Sequence, residues 1–212
     1  MSIIEDVKHD YKFKVVLLGE GAVGKSSLVM RYVKNKFTSR HLSTIQASFQ
    51  TQKIQIDDDE VELNIWDTAG QEKYHALGPI YYRGSNGVLL IFDVTDQRSF
   101  EKVKMWVREL RATLGNSAVL MIVGNKIDME NERTVSRETA EEYAKTENAF
   151  YSETSAKENI GISTAFETLT EKMIEHNKEN ARNAPPIANR SIQLIDENER
   201  NSSIRTKKAK CC

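Results

Sequence analysis

The stretch Gly19-Glu20-Gly21-Ala22-Val23-Gly24-Lys25-Ser26 has the residue types and the spacing to hold a chain of phosphates. It follows the apolar run Phe13 to Leu18, in which Val15 and Val16 favour a strand. It precedes Ser27-Leu28-Val29-Met30-Arg31-Tyr32, whose apolar positions 28, 29 and 32 repeat at helical spacing. Strand, glycine loop and helix are the setting in which the pattern GxxxxGK[ST] acquires a physical meaning. Glycines let the backbone curl until several N–H groups point inward, and the start of the helix adds partial positive charge. Lys25 can reach the outer phosphates as a point charge, and the Ser26 hydroxyl is placed to ligate Mg²⁺. This is a phosphate-binding loop, and its expected nucleotide-binding residues are Gly19, Gly21, Ala22, Val23, Gly24, Lys25, Ser26 and Ser27.

Three further polar breaks carry residues of chemical interest: Asp67-Thr68-Ala69-Gly70-Gln71, Asn125-Lys126-Ile127-Asp128 and Thr154-Ser155-Ala156-Lys157. Each follows a stretch that reads as a strand. Phe49 to Ile56 and Val61 to Trp66 alternate with period two around Asp57-Asp58-Asp59-Glu60, which predicts an antiparallel hairpin with an acidic turn. Gly87 to Val94 and Ala118 to Gly124 are nearly continuous apolar runs, the mark of strands buried on both faces. Ala149 to Glu153 is a shorter strand. Helices are expected from about Arg98 to Leu114 (capped by Asp96, stopped by Gly115), from Ser136 to about Glu147, and from about Ile162 to Asn177. Residues 73–83 read as loop-like. Strands alternating with helices predict an α/β fold, a six-stranded mostly parallel sheet with one antiparallel strand and helices on both faces. Ligands of open α/β sheets sit at the carboxyl ends of the strands, so the four breaks converge on one crevice.

The chain of 212 residues is long enough for one well-buried core, and 30 basic against 31 acidic residues give no argument for a nucleic-acid partner. Its two cysteines are Cys211 and Cys212, which excludes an intramolecular disulfide framework and a cysteine-ligated metal site and fits a reducing cytosol. No stretch reaches the length of a transmembrane helix, and the first residues do not resemble a signal peptide. Ser2 stands where N-myristoylation requires glycine. Residues 1–10 read as a loose lead, 11–178 as the folded domain and 179–212 as a tail. The tail is rich in Asn, Arg, Glu, Lys and Ser, is interrupted by Pro185-Pro186, and is expected to be disordered.

On these motifs and their order, over about residues 11–178, the chain resembles the Ras-like small GTPases and, within them, the Rab family. The resemblance implies a P-loop NTPase that binds GTP and GDP with Mg²⁺ and hydrolyses GTP. A carboxylate at Asp128 can accept hydrogen bonds from the N1–H and 2-amino group of guanine, which adenine cannot offer. By resemblance Asn125 ties this loop to the phosphate loop, the stem of Lys126 covers one face of the base, and Phe37 stacks edge-on against it. Ser155, Ala156 and Lys157 resemble the second base-contact loop, where the Ala156 amide meets the guanine carbonyl. Asp67 would hold Mg²⁺ through water, the Gly70 N–H would bond the γ-phosphate, and Gln71 would orient the attacking water. Thr44 resembles the threonine that closes over Mg²⁺ when GTP is bound. The catalytic set is then Gln71, Lys25 and Thr44, and the metal set Ser26, Thr44 and Asp67. No arginine is evidently placed to neutralise the transition state, so slow hydrolysis is expected unless a partner supplies one.

Phe49, Trp66 and Tyr81 match an aromatic trio with which Rab proteins read effectors, and core packing is the alternative reading for each. Gln46 departs from the family, which usually has glycine after the Thr-Ile of this segment. Gln46-Ala47-Ser48-Phe49 and His75-Ala76-Leu77-Gly78-Pro79 look closest to the early-endosomal group, the Rab twenty-one type. The implied partners are an exchange factor, a GTPase-activating protein, an escort protein, a GDP-dissociation inhibitor and effectors. The implied state is a monomer on the cytoplasmic face of membranes, the early endosome first, with a cytosolic GDP-bound pool. Two other classes stay open. An ATP-using P-loop kinase is opposed by Asp128 in its Asn-Lys-x-Asp setting, and a non-hydrolysing scaffold by Lys25, Ser26, Thr44 and Gln71.

Arg205, Lys207, Lys208 and Lys210 precede Cys211-Cys212, a pattern that resembles the double-geranylgeranylation signal of Rab proteins. Two lipid chains anchor where one is marginal, and the basic residues add attraction to anionic lipid. Replacing both cysteines by serine is expected to move the protein to the soluble fraction of fractionated cells. Retention on membranes would refute the lipid reading.

Overall fold

The computed structural model describes residues 10–39, 44, 47–68 and 78–183. Its strands are β1 (Asp10–Leu18), β2 (Ser48–Ile56), β3 (Asp59–Asp67), β4 (Gly87–Asp93), β5 (Val119–Asn125) and β6 (Phe150–Thr154). Its helices are α1 (Lys25–Lys34), α2 (Gly78–Tyr82), α3 (Gln97–Leu114), α4 (Arg137–Thr146) and α5 (Ile162–Asn183). The six strands form one sheet in the order β2-β3-β1-β4-β5-β6, antiparallel between β2 and β3 and parallel elsewhere. This is the expected α/β architecture.

The central strands are apolar on both faces because both are covered. Along β1, Phe13, Val15 and Leu17 join Val61, Leu63 and Ile65 of β3 in a core completed by Leu28 and Val29 of α1 and Phe166, Leu169 and Met173 of α5. Val16 and Leu18 point the other way, into a second core with Leu90 and Phe92 of β4, Phe100, Val103 and Val107 of α3, and Ala140 and Ala144 of α4. The expected caps are present. The Asp96 side chain accepts from the Arg98 N–H, Ser136 accepts from the Thr139 N–H, and Gly115 ends α3.

The strand register sets the site. Leu17 lies beside Asp67, Asp93 beside Asn125, and Asn125 beside Thr154. The residues that follow β1, β3, β5 and β6 therefore leave the sheet along one edge.

Three local expectations change. The hairpin turn is tighter than Asp57–Glu60: β3 already begins at Asp59, and Asp57 alone takes a left-handed backbone at φ 49°. Asp59 is thereby drawn into the fold, where Lys178 of α5 donates to its carboxylate at 3.2 Å. Within the stretch read as loop, residues 78–82 form α2, a single turn anchored by the fully buried Tyr82, whose hydroxyl donates to Glu109 at 2.7 Å. Proline is favoured in a first helical turn, and burial of Tyr82 fixes this short helix. Finally, α5 runs to Asn183, past Asn177 and over the first residues assigned to the tail. Composition missed this because extending an already packed helix needs no new nucleus.

Phe166 is 2 % exposed and its ring stacks on Tyr32 of α1 at 3.9 Å. Phe166→Ala is expected to lower the unfolding free energy by about 3–5 kcal/mol, read from urea denaturation at one fixed nucleotide concentration. A loss below about 1 kcal/mol would mean that α5 contributes little to this core.

Candidate functional site

The loop between β1 and α1 turns because its backbone leaves the ordinary regions at Gly19 (φ 147°), Ala22 (φ 64°) and Gly24 (φ 99°). Side chains fit at neither glycine: a Cβ on Gly19 would strike the Ile91 carbonyl, and one on Gly24 would strike the Asn125 amide. Gly24 is also the N-cap of α1 and offers no side chain to the first helical N–H groups, which leaves them for an anion. Lys25 folds back over the loop, its Nζ donating to the carbonyls of Gly19 at 2.9 Å and Glu20 at 2.8 Å. Burial lowers its pKa to about 8, against the raising influence of the Asp67 and Glu20 carboxylates.

The Ser26 and Thr44 hydroxyl oxygens lie 2.8 Å apart. Two adjacent ligands of an octahedral Mg²⁺ at 2.0–2.1 Å stand about 3 Å apart, so this pair fits two neighbouring corners of the coordination shell. Asp67, buried at the end of β3, supplies the hard anionic oxygen such an ion prefers, and its neighbour Thr68 is fixed by donating to the Leu17 carbonyl at 2.7 Å. Ser26, Thr44 and Asp67 would hold the metal.

The other end of the site is built by β5 and β6. The Asn125 side chain, almost fully buried, donates to the Val23 carbonyl at 2.8 Å and accepts from the Thr154 hydroxyl at 3.1 Å. The tie from this loop to the phosphate loop is thus present, and it extends to β6. Asp128 lies in a 3-10 segment, Ile127–Glu132, and accepts from the Ser155 hydroxyl at 2.6 Å, with the Lys157 ammonium 3.6 Å from its other oxygen. Lys126 sits in a left-handed conformation, and its ammonium pairs with Asp93 at 2.6 Å. Arg31 of α1 holds the loop after β6 by donating to the carbonyls of Ala156 and Lys157 at 3.0 and 3.1 Å. The ring of Phe37 lies 5.8 Å from the same guanidinium.

These ends share one cavity of about 400 Å³. It is lined by the phosphate loop (Gly21, Ala22, Gly24 to Ser27), by Phe37, Thr38, Ser39 and Thr44, and by Asn125, Lys126, Asp128, Met129, Ala156 and Lys157. That volume suits a drug-sized ligand such as a purine nucleotide. Among the expected site residues Gln46, Gly70, Gln71, Cys211 and Cys212 lie outside the described residues. Phe49, Trp66 and Tyr81 are brought together elsewhere. Phe49 meets Trp66 edge-on at 5.4 Å, and Trp66 meets Tyr81 at 6.3 Å. Phe49 is exposed, whereas Trp66 and Tyr81 are half-buried and pack on the second core, so packing and exposure share the trio. Sequence reasoning missed Thr38, Ser39 and Met129 as lining, and Asp93, Thr154 and Arg31 as supports. Thr154 opens one of the polar breaks, but its bond to Asn125 is not readable there; the others belong to no motif, and only spatial neighbours reveal them.

A profile of the Ras family matches residues 14–175. The chain is 54% identical over 200 residues to the Ras-related protein Rab-21 of Bos taurus, covering 92% of this chain and 90% of that one. It is 55% identical over 193 residues to Rab-21 of Homo sapiens (88% and 86%), and 53% identical over 162 residues to Rab-21 of Dictyostelium discoideum (76% and 76%).

The state of Lys25 gives a pH test. Burial holds its pKa at about 8, below the ordinary lysine value, and a bound polyphosphate would favour the charged form and raise it. Binding therefore takes up a proton near and above pH 8 and none well below it. Calorimetry of GDP binding at pH 8 in buffers of different ionisation enthalpy is expected to show uptake of about half a proton, absent in Lys25→Met. Equal uptake in that variant would place the titrating group elsewhere.

Proposed function

The chain belongs to the Ras family, and within it to the Rab proteins, enzymes that hydrolyse GTP to GDP and phosphate, and from this premise we propose that it is a slow, membrane-anchored GTP/GDP switch that recruits effectors to early endosomes. The observation that carries the reading is the Asn125 side chain, which joins a phosphate cradle to a carboxylate-bearing base loop inside one cavity.

In this reading the guanine edge is read by Asp128, oriented by Ser155, while Lys126 is held in place by Asp93 and Phe37 flanks the base. Helix α1 and Lys25 take the phosphates. Bound with the nucleotide between Ser26, Thr44 and Asp67, Mg²⁺ would neutralise charge on the phosphate oxygens. Gln71 orients the water for in-line attack. Among the described residues the cavity lining offers positive charge from Lys25, Lys126 and Lys157 but from no arginine, and Arg31 is committed to two carbonyls of the base loop. An activating partner that inserts an arginine is therefore expected to raise the rate by a factor of about 10³–10⁵, the magnitude known for Ras itself.

Thr44 and Gly70 answer to the γ-phosphate, so its loss releases the segments that carry them. The aromatic cluster of Phe49 on β2, Trp66 on β3 and Tyr81 on α2 adjoins those segments and reads effectors in the GTP state, since large aromatics make good contact anchors. Early-endosomal trafficking is supported by the likeness to Rab-21 proteins. Among the described residues no helix is long and apolar enough to cross a membrane. The anchor is geranylgeranyl groups on Cys211 and Cys212.

Competition for a fluorescent guanine nucleotide tests the base assignment: GTP and GDP are expected to displace it at concentrations at least about 10⁴-fold below ATP. Equal displacement by ATP would overturn it. Turnover of several GTP per second by the purified protein alone would overturn the slow-switch reading. A pull-down from cell lysate with the protein loaded with a non-hydrolysable GTP analogue or with GDP tests the switch. Endosomal tethers or adaptors retained by the GTP form alone are expected, and identical partners in both states would favour a scaffold.

A further inference from the structure

Arg133 follows the 3-10 segment that bears Asp128 and is not among the residues lining the cavity. Its side chain is only 14 % exposed, and all three guanidinium nitrogens donate hydrogen bonds. Nε donates to the two carboxylate oxygens of Glu130 at 2.8 and 2.9 Å, and Nη2 donates to Oε2 of the same residue at 2.7 Å. Nη1 donates to Oε1 of Glu153 at 3.0 Å and to the Val135 carbonyl at 3.1 Å. The Tyr151 hydroxyl donates to that same Glu153 oxygen at 2.9 Å.

One planar cation thus joins two carboxylates on separate stretches of chain, a task for which the guanidinium fork is suited and a lysine ammonium is not. Both carboxylates adjoin the base-reading groups. Glu130 is two residues from Asp128, and Glu153 immediately precedes Thr154 and Ser155, whose hydroxyls hold Asn125 and Asp128. No residue of the segment Ile127–Glu132 is fully buried. Apolar packing reaches the first residue of the segment, Ile127, which contacts the second core, and from Asp128 onward polar ties decide where the segment stands.

We propose that Arg133 is a positioning residue for base discrimination: by clamping Glu130 to Glu153 it fixes the separation between Asp128 and the loop after β6, and so which purine edge fits between them. The inference rests on the assignment of Asp128 to the guanine edge. The clamp makes no bond to the phosphate loop, so its loss falls on base selectivity and spares the phosphate contacts.

The test compares the affinities of fluorescently labelled GDP and IDP for the full chain and for the variants Arg133→Met, Arg133→Lys and Glu153→Gln. Inosine lacks the 2-amino group and so gives up a bond to Asp128 while keeping every phosphate contact. The wild type is expected to prefer GDP. In Arg133→Met the GDP affinity falls by about ten-fold, IDP affinity falls by much less, and the ratio shrinks toward one. Arg133→Lys and Glu153→Gln shift the ratio the same way by less. Circular dichroism of the GDP-bound proteins checks folding, and Glu153→Gln, which keeps the side-chain shape, carries the test should Arg133→Met not fold. Parallel losses for GDP and IDP, or no loss, would overturn the proposal. A wild type that does not distinguish GDP from IDP would overturn instead the reading of Asp128.

Discussion

The site depends on the buried amide of Asn125. One side chain gives a hydrogen bond to the phosphate loop at Val23 and takes one from Thr154 of the neighbouring strand. A buried amide left without partners is costly, so the two loops and β6 are held to a single mutual arrangement. The close fit runs both ways, for Gly24 is where it is because a Cβ there would displace the Asn125 amide. Phosphate cradle and base pocket are tied to each other by the protein's own hydrogen bonds. Binding then has little ordering left to do at this end of the cavity.

The metal-facing end is organised differently. Lys25 lies on the carbonyls of Gly19 and Glu20, buried enough that its charge is disfavoured, so an anion there would stabilise it. Ser26 and Thr44 meet through hydroxyls whose spacing already matches two corners of a magnesium shell. In the switch reading this contrast has a purpose. The base end keeps hold of the nucleotide in both states, while the γ-phosphate end can engage or release the segment that carries Thr44.

Behind the cavity a layer of charged side chains carries the positioning. Asp93 holds Lys126, Ser155 holds Asp128, and Arg31 holds the carbonyls of the loop after β6. Arg133 ties the segment of Asp128 to the end of β6. Where these bonds are partly buried, as between Asp93 and Lys126, Ser155 and Asp128, and Arg133 and Glu153, they are worth more than surface ion pairs would be.

Much of this was legible in the sequence. GxxxxGKS after an apolar run pointed to a phosphate loop because its first and last glycines, Gly19 and Gly24, have no room for a Cβ and a helix start offers free N–H groups. Continuous apolar runs at 87–94 and 118–124 determined strands covered on both faces, and the order of the motifs determined that Asp67, Asn125 and Ser155 leave one sheet edge. Asp96, Gly115 and Ser136 marked helix ends through local hydrogen bonds that neighbours in sequence make. Tertiary structure alone decided what depends on contacts distant in the chain. It drew Asp59 into β3 through Lys178, turned residues 78–82 into a helix by burying Tyr82, and extended α5 to Asn183. It also enlisted Asp93, Arg31 and Arg133, which no motif names, and gave Thr154 its bond to Asn125. Backbone geometry and periodicity are written residue by residue, whereas a positioning side chain is defined by its partners, and those meet only once the chain has folded.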